Sequence, residues 1–344
     1  MTHNVFRSLL RDLTAIPGIS GHEDAIAREL AERLRPHVDD VQIDSMANVI
    51  ARRGAADAPR KVAILAHIDT IGMMVKRVIS DGVLGVITIG GINLKSIAGS
   101  HVRVGDLPGV VGVRSQHQAQ AGDVAVNSMD DLYIYVGTST AVEITTPITY
   151  APNPLELPGD LFVSPYLDNR AGVAVLIEAA RRLPADLPFT VYFVGTAQEE
   201  TTAFGAYTAL QAIQPDYALF IDGTVSYDTP ESKGKGSVML GFGTVLTSFL
   251  YISGLHGWHA HPKLRGYLKQ AASAHQIAFQ QDAVHGLMAD SRVVSWTGTP
   301  GAALGLPMRG KHSPTEMVHL ADLDNAVRLI HAALTYSWPD LKRG

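Results

Sequence analysis

Phe189-Thr190-Val191-Tyr192-Phe193-Val194-Gly195-Thr196-Ala197-Gln198-Glu199-Glu200 is the stretch from which the rest of the chain is read. β-Branched and aromatic residues fill its first half, so it reads as a buried strand, and it ends in two adjacent carboxylates. Two neighbouring acids beyond such a strand resist ionising together unless a cation or a shared proton lies beside them. Taken alone, Glu199 and Glu200 could simply open an exposed helix, where acids suit the positive end of the helix dipole.

Four further apolar runs change that weighting, because each also ends in Asp or His. They are Val62 to His67 with Asp69 beyond, Leu161 to Asp168, Tyr217 to Asp222, and Gly301 to His312. Open α/β sheets carry their sites at the carboxyl ends of strands, so these residues would converge on one site. A strand ending in His-x-Asp directs both side chains to one side. In that geometry Asp69 would lie behind His67 and orient its ring.

Composition bounds the chemistry. A chain of 344 residues is long for one core and suggests a large domain with a smaller one. A net charge of -5 with interspersed signs leaves no basic stripe, which argues against nucleic acid and anionic membrane surfaces. Met1 to Arg11 has no signal-peptide core, and no run is long and apolar enough to span a bilayer, so a cytoplasmic location is expected. With no cysteine, any metal must be held by His, Asp and Glu, which suits zinc, cobalt, manganese or magnesium.

Helical spacing runs from Val5 to Thr14 and, after a Pro17-Gly18 turn, through about Leu34, with Ser20 and Glu23 at capping-box spacing. Lys61 to Asp69 reads as a central strand. Beyond Gly72 the texture changes to short Val/Ile-rich runs: Met73 to Val78, Val83 to Ile89, His101 to Val104, Val110 to Val113, Leu132 to Val136 and Val142 to Thr145. No helical periodicity interrupts them, which predicts a small inserted barrel or sandwich. From Asp168 onward helix and strand alternate: a helix after Asp168, strand Phe189 to Val194, helix Ala203 to Ile213, strand Tyr217 to Ile221, strand Ser237 to Phe242, helices Leu264 to Ile277 and Leu287 to Val294, strand Ala302 to Leu306 and helix Leu323 to Tyr336. The expected fold class is therefore α/β, a doubly wound mixed sheet with helices on both faces plus an inserted small β-barrel domain. The catalytic domain would comprise 1-71 and 162-344, and the insert 72-161.

Ala66-His67-Ile68-Asp69, Leu167-Asp168-Asn169-Arg170-Ala171-Gly172, Gln198-Glu199-Glu200, Ile221-Asp222 and Arg309-Gly310-Lys311-His312-Ser313-Pro314-Thr315-Glu316 occur in the order seen in the M42 family of metalloaminopeptidases. The resemblance to that family, which includes glutamyl aminopeptidases, TET aminopeptidases and proteins once labelled cellulase M, extends over nearly the whole chain. It implies a zinc-peptidase-like fold and two divalent metal ions per chain, zinc first, with cobalt or manganese as alternatives. Asp168 would bridge both ions, His67 and Asp222 would complete one, Glu200 and His312 the other, and Glu199 would be the base that activates the bridging water. Two divalent ions bring +4, which Asp168, Glu200, Asp222 and a hydroxide balance. The resemblance further implies peptide substrates with a free N-terminus and a homo-oligomer, often a dodecamer.

The chain departs from the family pattern at Thr70, at Thr201-Thr202-Ala203-Phe204-Gly205 and at Gly310-Lys311, all positions that would line the pocket. His256, His259 and His261 form a separate cluster in a Gly- and Pro-flanked stretch, read as a surface or interface loop; His101 and His117 are read as structural. Two rival readings are a glycoside hydrolase, which needs paired carboxylates and no metal, and a catalytically inactive binding protein. Two histidines among the carboxylates and an aromatic content of 7% argue against the first, and the intact ligand set against the second.

Overall fold

The computed structural model describes residues 2–115, 117, 126–138, 142–184, 186–254 and 256–342. Its centre is a mixed sheet in the order Asp40–Ile43, Val49–Arg53, Thr190–Thr196, Lys61–His67, Tyr217–Val225, Gly301–Met308, Thr244–Ser253, His256–His259, with Phe279–His285 also paired to Thr244–Ser253. The four middle strands run parallel, and both flanks join antiparallel. Period-2 alternation explains why these strands sit between two layers. Val62, Ile64 and Ala66 enter the core on one face, with Tyr217, Leu219, Ile221, Leu304 and Leu306. Ala63 and Leu65 enter the core on the other, with Ala218, Phe220 and Ala303.

Helices Thr2–Thr14, Asp24–Leu34, Leu167–Arg182, Pro262–Ala274 and Leu320–Tyr336 contribute to the first core, and Phe204–Ile213 to the second. Leu167–Arg182 is the central member. From Leu167 to Ala180 every residue is buried, so it lies beneath other helices rather than showing a polar face to water. The expected doubly wound mixed sheet with helices on both faces is the observed one.

The short Val/Ile runs close into a six-stranded barrel, in the order Gly72–Ser80, Val83–Ile89, Leu132–Tyr135, Leu107–Val113, His101–Val104, Pro147–Tyr150. Closure removes the exposed edges that such short strands would otherwise carry. Its interior is filled by Met73, Val75, Leu84, Val102, Val111 and Ile134 among others. Within the stretch read as the insert, 116, 118–125 and 139–141 lie outside the described residues. Leu155–Leu157 pairs instead with Leu161–Ser164, which pairs with Glu316–His319.

Several expected elements differ. Val142 to Thr145 is not a strand; Thr145 has a positive φ of 74°, and pairing begins at Pro147. A short helix, Leu94–Ile97, interrupts the barrel strands, started by the Asn93 side chain accepting from the Lys95 amide. Ser237 to Phe242 is irregular, because Gly241 and Gly243 take φ of 84° and 102°, which take the backbone out of the extended region. Leu287 to Val294 is a 3₁₀ turn, Asp290–Val293, running into the short helix Val294–Thr297. His256–His259 is an edge strand rather than a loop. His259 stacks on Phe249 with centroids 4.7 Å apart, and His261 caps the helix that follows by accepting from the Leu264 amide. Ser20 and Glu23 form no capping box. Ser20 Oγ meets Thr201 Oγ1 at 2.8 Å, while Glu23 accepts from the Gly21 and Gln198 amides.

Candidate metal centre and active site

Three neighbouring parallel strands deliver the site. The strand Lys61–His67 ends on His67, Thr190–Thr196 leads into Glu199 and Glu200, and Asp222 lies in Tyr217–Val225. Asp168 comes from the first turn of the buried helix, and His312 from the loop after Gly301–Met308. His67, Asp168 and Asp222 form one group whose donor atoms lie within 4.8 Å of one another, Asp168, Glu200 and His312 form a second, and His67, Glu199 and Glu200 a third.

Asp168 is the shared member. His67 Nε2 is 3.4 Å from its Oδ1, and His312 Nε2 is 3.3 Å from its Oδ2, so each carboxylate oxygen faces a different imidazole. His67 Nε2 is also 3.7 Å from Asp222 Oδ1, and His312 Nε2 is 3.4 Å from Glu200 Oε2. Asp168 Oδ1, Glu200 Oε1 and Asp222 Oδ1 are buried and accept no well-formed hydrogen bond among the described residues. Buried acceptors in such a state are costly unless cations satisfy them. This donor set, two imidazoles and three carboxylates at a buried spot, fits borderline divalent ions.

Electrostatics make the same demand. Burial first, then the neighbouring carboxylates, pushes the Glu200 carboxyl well above the usual range, and burial with Asp222, Asp290 and Asp69 does the same to Glu199. Burial would also raise Asp168, but Lys311, His312 and His67 hold it well below the carboxylate range. Asp168 is thus held ionised beside two glutamates, Glu199 and Glu200, whose ionisation calls for positive charge nearby.

The supporting contacts are fixed by residues far apart in sequence. Asp69 stands behind His67, with its backbone carbonyl 3.2 Å and its Oδ1 3.5 Å from Nδ1, which leaves Nε2 facing Asp168 and Asp222. The Asp69 carboxylate mainly accepts the backbone N–H groups of Glu199 and Glu200, at 2.9 and 3.0 Å. With Glu23 accepting from Gln198, three consecutive amides of the Gln198–Glu200 turn are held by buried carboxylates. Gln198 has a φ of 60°, a conformation that needs such anchoring. Glu316 does the same on the other side. Its Oε2 accepts from Asp168 N and its Oε1 from His312 N, both at 2.8 Å. Asn169 binds the Ile221 carbonyl and the Gly172 amide, and a Cβ at Gly172 would lie 2.2 Å from its Oδ1. Arg170, fully buried, binds the carbonyls of Ile68 and Ile16.

From sequence, Glu23 has only a capping-box spacing and Lys311 only a place in the pocket lining, while Glu316, Asn169 and Arg170 appear only within the quoted motifs. An acid in the apolar run Glu316-Met317-Val318 was the signal for Glu316, and a lysine directly before His312 for Lys311. Lys311 Nζ is 2.5 Å from Asp168 Oδ2 and 3.5 Å from Asp222 Oδ1, and it donates to the Gly223 carbonyl at 3.2 Å. The His256, His259 and His261 group lies on the far flank of the sheet and joins none of the three donor groups.

Above the carboxylates opens a cavity of about 390 Å³, lined by Glu199, Glu200, Lys311 and His312 on its floor and by Val225, Leu287, Met288 and Arg292 on its walls. The barrel supplies part of the rim: Gly91 lines it, and Asn93 N donates to the His312 carbonyl. A Cβ at Gly91 would come within 3.3 Å of the His312 ring, so the loop passes the imidazole closely.

Comparison with known proteins agrees with this picture. A family model described as M42 glutamyl aminopeptidase matches residues 47–329. The lysyl aminopeptidase of Pyrococcus furiosus is 33% identical, over 95% of this chain and 96% of its own. The aminopeptidase APDkam598 of Desulfurococcus kamchatkensis superposes with a TM-score of 0.91 at 30% identity, covering 98% of this chain and 96% of that one. The TET1 peptidase of Pyrococcus horikoshii, which can assemble into a tetrahedron or a large octahedral shell, superposes with a TM-score of 0.85 at 28% identity, covering 95% and 98%.

Proposed function

Since the chain belongs to the M42 glutamyl aminopeptidase family and is thereby a peptide-bond hydrolase, we propose that it removes N-terminal residues from peptides at a site holding two divalent ions. The observation that carries this reading is the Asp168 carboxylate, whose two oxygens each face a different histidine. His67 and Asp222 would hold one ion with Asp168, and Glu200 and His312 the other, with zinc favoured and cobalt or manganese next. Ions held by these residues would supply Lewis-acid polarisation of the scissile carbonyl and a bound water with its pKa lowered to about 7.

The remaining work falls to the chain. Glu199 lines the cavity beside His67, with Oε2 at 4.0 Å from Nε2, and would take the proton of the attacking water and return it to the leaving amine. Asp69 fixes the backbone that carries Glu199 and Glu200, so the base and a ligand move together. Asp69 and the Glu316 clamp hold the donors in place before substrate arrives, which is the geometry two-metal hydrolysis requires. Leu287 and Met288 in the cavity lining would pack against the side chain of the substrate's N-terminal residue. A homo-oligomer, in the manner of the TET1 peptidase, is part of the proposal, with peptides bearing a free N-terminus as its partners.

A peptide and its N-acetylated twin, incubated with the zinc-loaded protein and followed by mass spectrometry, test the reading. Stepwise loss from the free N-terminus with survival of the capped peptide is expected. Equal cleavage of both, or internal cuts, would overturn it.

A further inference from the structure

One cation in the cavity wall has nothing to neutralise it. Lys311 is paired with Asp168, whereas the Arg292 side chain, in the same lining, forms no ion pair or hydrogen bond among the described residues. Its Nε is buried and without a partner. A guanidinium stays charged and carries five donors, so sequestering one of them without an acceptor is costly unless a ligand supplies it. The nearest acid in sequence, Asp290, is committed elsewhere, its Oδ2 accepting from Thr196 Oγ1. Glu199 and Glu200 lie beside His67 and His312 instead.

Arg292 sits toward the open margin of the cavity. The helix that follows its turn and the helix that follows Thr201 meet outside it, with the Trp296 and Phe204 rings 6.4 Å apart and 54% and 50% exposed. Under the aminopeptidase reading the first residue of a substrate has its amine and carbonyl at the floor, by Glu199, and its side chain at Leu287 and Met288. The chain beyond the scissile bond then leaves by the open margin, past Arg292. An extended residue spans about 3.5 Å, so in a cavity of about 390 Å³ the residue just after that bond is the one within reach. Resting on that reading, we propose that Arg292 is a specificity-determining residue that receives a carboxylate carried by the residue just beyond the scissile bond. Guanidinium and carboxylate join through two parallel N–H···O bonds, which a neutral group does not reproduce. The carboxylate has two sources, the C-terminus of a dipeptide and an Asp or Glu side chain at the second position. A contact made in the bound substrate and the transition state alike acts mainly on KM.

Four peptides test this on the zinc-loaded protein: Leu-Ala, its C-terminal amide Leu-Ala-NH2, Leu-Glu-NH2 and Glu-Ala-NH2, with the released amino acid measured by chromatography. Wild type should cleave Leu-Ala, Leu-Glu-NH2 or both with a kcat/KM about ten- to a hundredfold above that for Leu-Ala-NH2, chiefly through KM. A gain with Leu-Ala assigns the C-terminal carboxylate, and a gain with Leu-Glu-NH2 the side chain. Arg292→Met and Arg292→Gln should bring these ratios to about one, and Arg292→Lys, which keeps the charge but not the fork, should retain part of the gain. Ratios are taken within each variant, so that a general loss of activity cancels, and circular dichroism verifies folding; either uncharged variant suffices. Calorimetric binding of the same peptides to the Glu199→Gln protein, with and without the Arg292 change, should repeat the order in the absence of turnover. Ratios that persist in a folded uncharged variant, or a wild type indifferent to a carboxylate beyond the bond, would overturn the proposal while leaving the aminopeptidase reading intact. An effect of the Arg292 variants confined to Glu-Ala-NH2 would place the arginine at the first residue's side chain and overturn it as well. Neither binding nor release of any of the four would overturn both.

Discussion

Replacing Glu316 by alanine should destabilise the fold and loosen the metal centre together, because this one carboxylate holds the backbone of two ligands. Glu316 is 1% exposed, and its two oxygens accept the amides of Asp168 and His312, both at 2.8 Å. A hydrogen bond to a charged acceptor contributes about 1.5–3 kcal/mol, and removing the acceptor leaves a donor without a partner in the interior. Two such bonds sum to roughly 3–6 kcal/mol before offsets. Burial and the repulsion from Asp168 push the Glu316 carboxyl up to about 8, so the comparison is made above that pH, where it is the charged acceptor, and the cost of ionising it there offsets part of this. A net loss of about 2–4 kcal/mol is expected, and a melting temperature lower by about 3–6 °C for a chain of this size. Thermal unfolding should be measured on metal-stripped protein, so that ion binding does not add to the difference. Glu316→Gln keeps one acceptor oxygen but turns an N–H donor toward the second amide, so it should fall about midway. Zinc affinity should drop about 10–100-fold in the alanine variant, since His312, held at a φ of 63°, and Asp168 both lose an anchor. An alanine variant melting within a degree of wild type and retaining its metal would refute this reasoning.

Glu199→Gln should retain metal and lose about 10²–10⁴-fold in turnover, because the amide holds the geometry but accepts no proton; a variant keeping more than about a third of the activity would sink that role. Asp168→Ala should cost more metal per chain than His67→Ala or His312→Ala, as only Asp168 faces both donor groups; equal stoichiometry in the three variants would assign the bridge elsewhere. The Arg309 guanidinium, bonded to Asp228 at 2.9 and 2.7 Å, lowers that carboxyl to about 2 from its ordinary 3.8. A depressed folded value contributes stability that is complete above the unfolded value and is lost as pH falls toward 2. Discounted for solvent screening, it amounts to about 1 kcal/mol. The urea midpoints of wild type and Asp228→Asn should therefore converge as pH drops from about 5.5 to 3, and a constant gap would count against the pair.

Local pattern carried much of this protein. The alternation in Val62-Ala63-Ile64-Leu65-Ala66 settles a strand covered on both faces, and the Val/Ile runs beyond Gly72 settle a region of short strands, because side-chain period and β-branching act over a few residues. The acids and histidines that end five such runs were equally visible. What only the tertiary structure decided is which distant groups meet. Parallel pairing of Lys61–His67 with Thr190–Thr196 and Tyr217–Val225 brings His67, Glu199 and Asp222 together across more than a hundred residues of chain, and a shift of register would separate them. The Glu316 clamp spans 148 residues to Asp168, and the Lys311 contact with that same carboxylate joins two loops with no common periodicity. The edge strand His256–His259 and the irregular Ser237 to Phe242 depend likewise on neighbours and on glycine φ values rather than on composition. A hydrogen bond or ion pair between remote segments leaves no trace in local spacing. Its partners are set by the packing of the sheet and the buried helix, and they become visible only when the chain is folded.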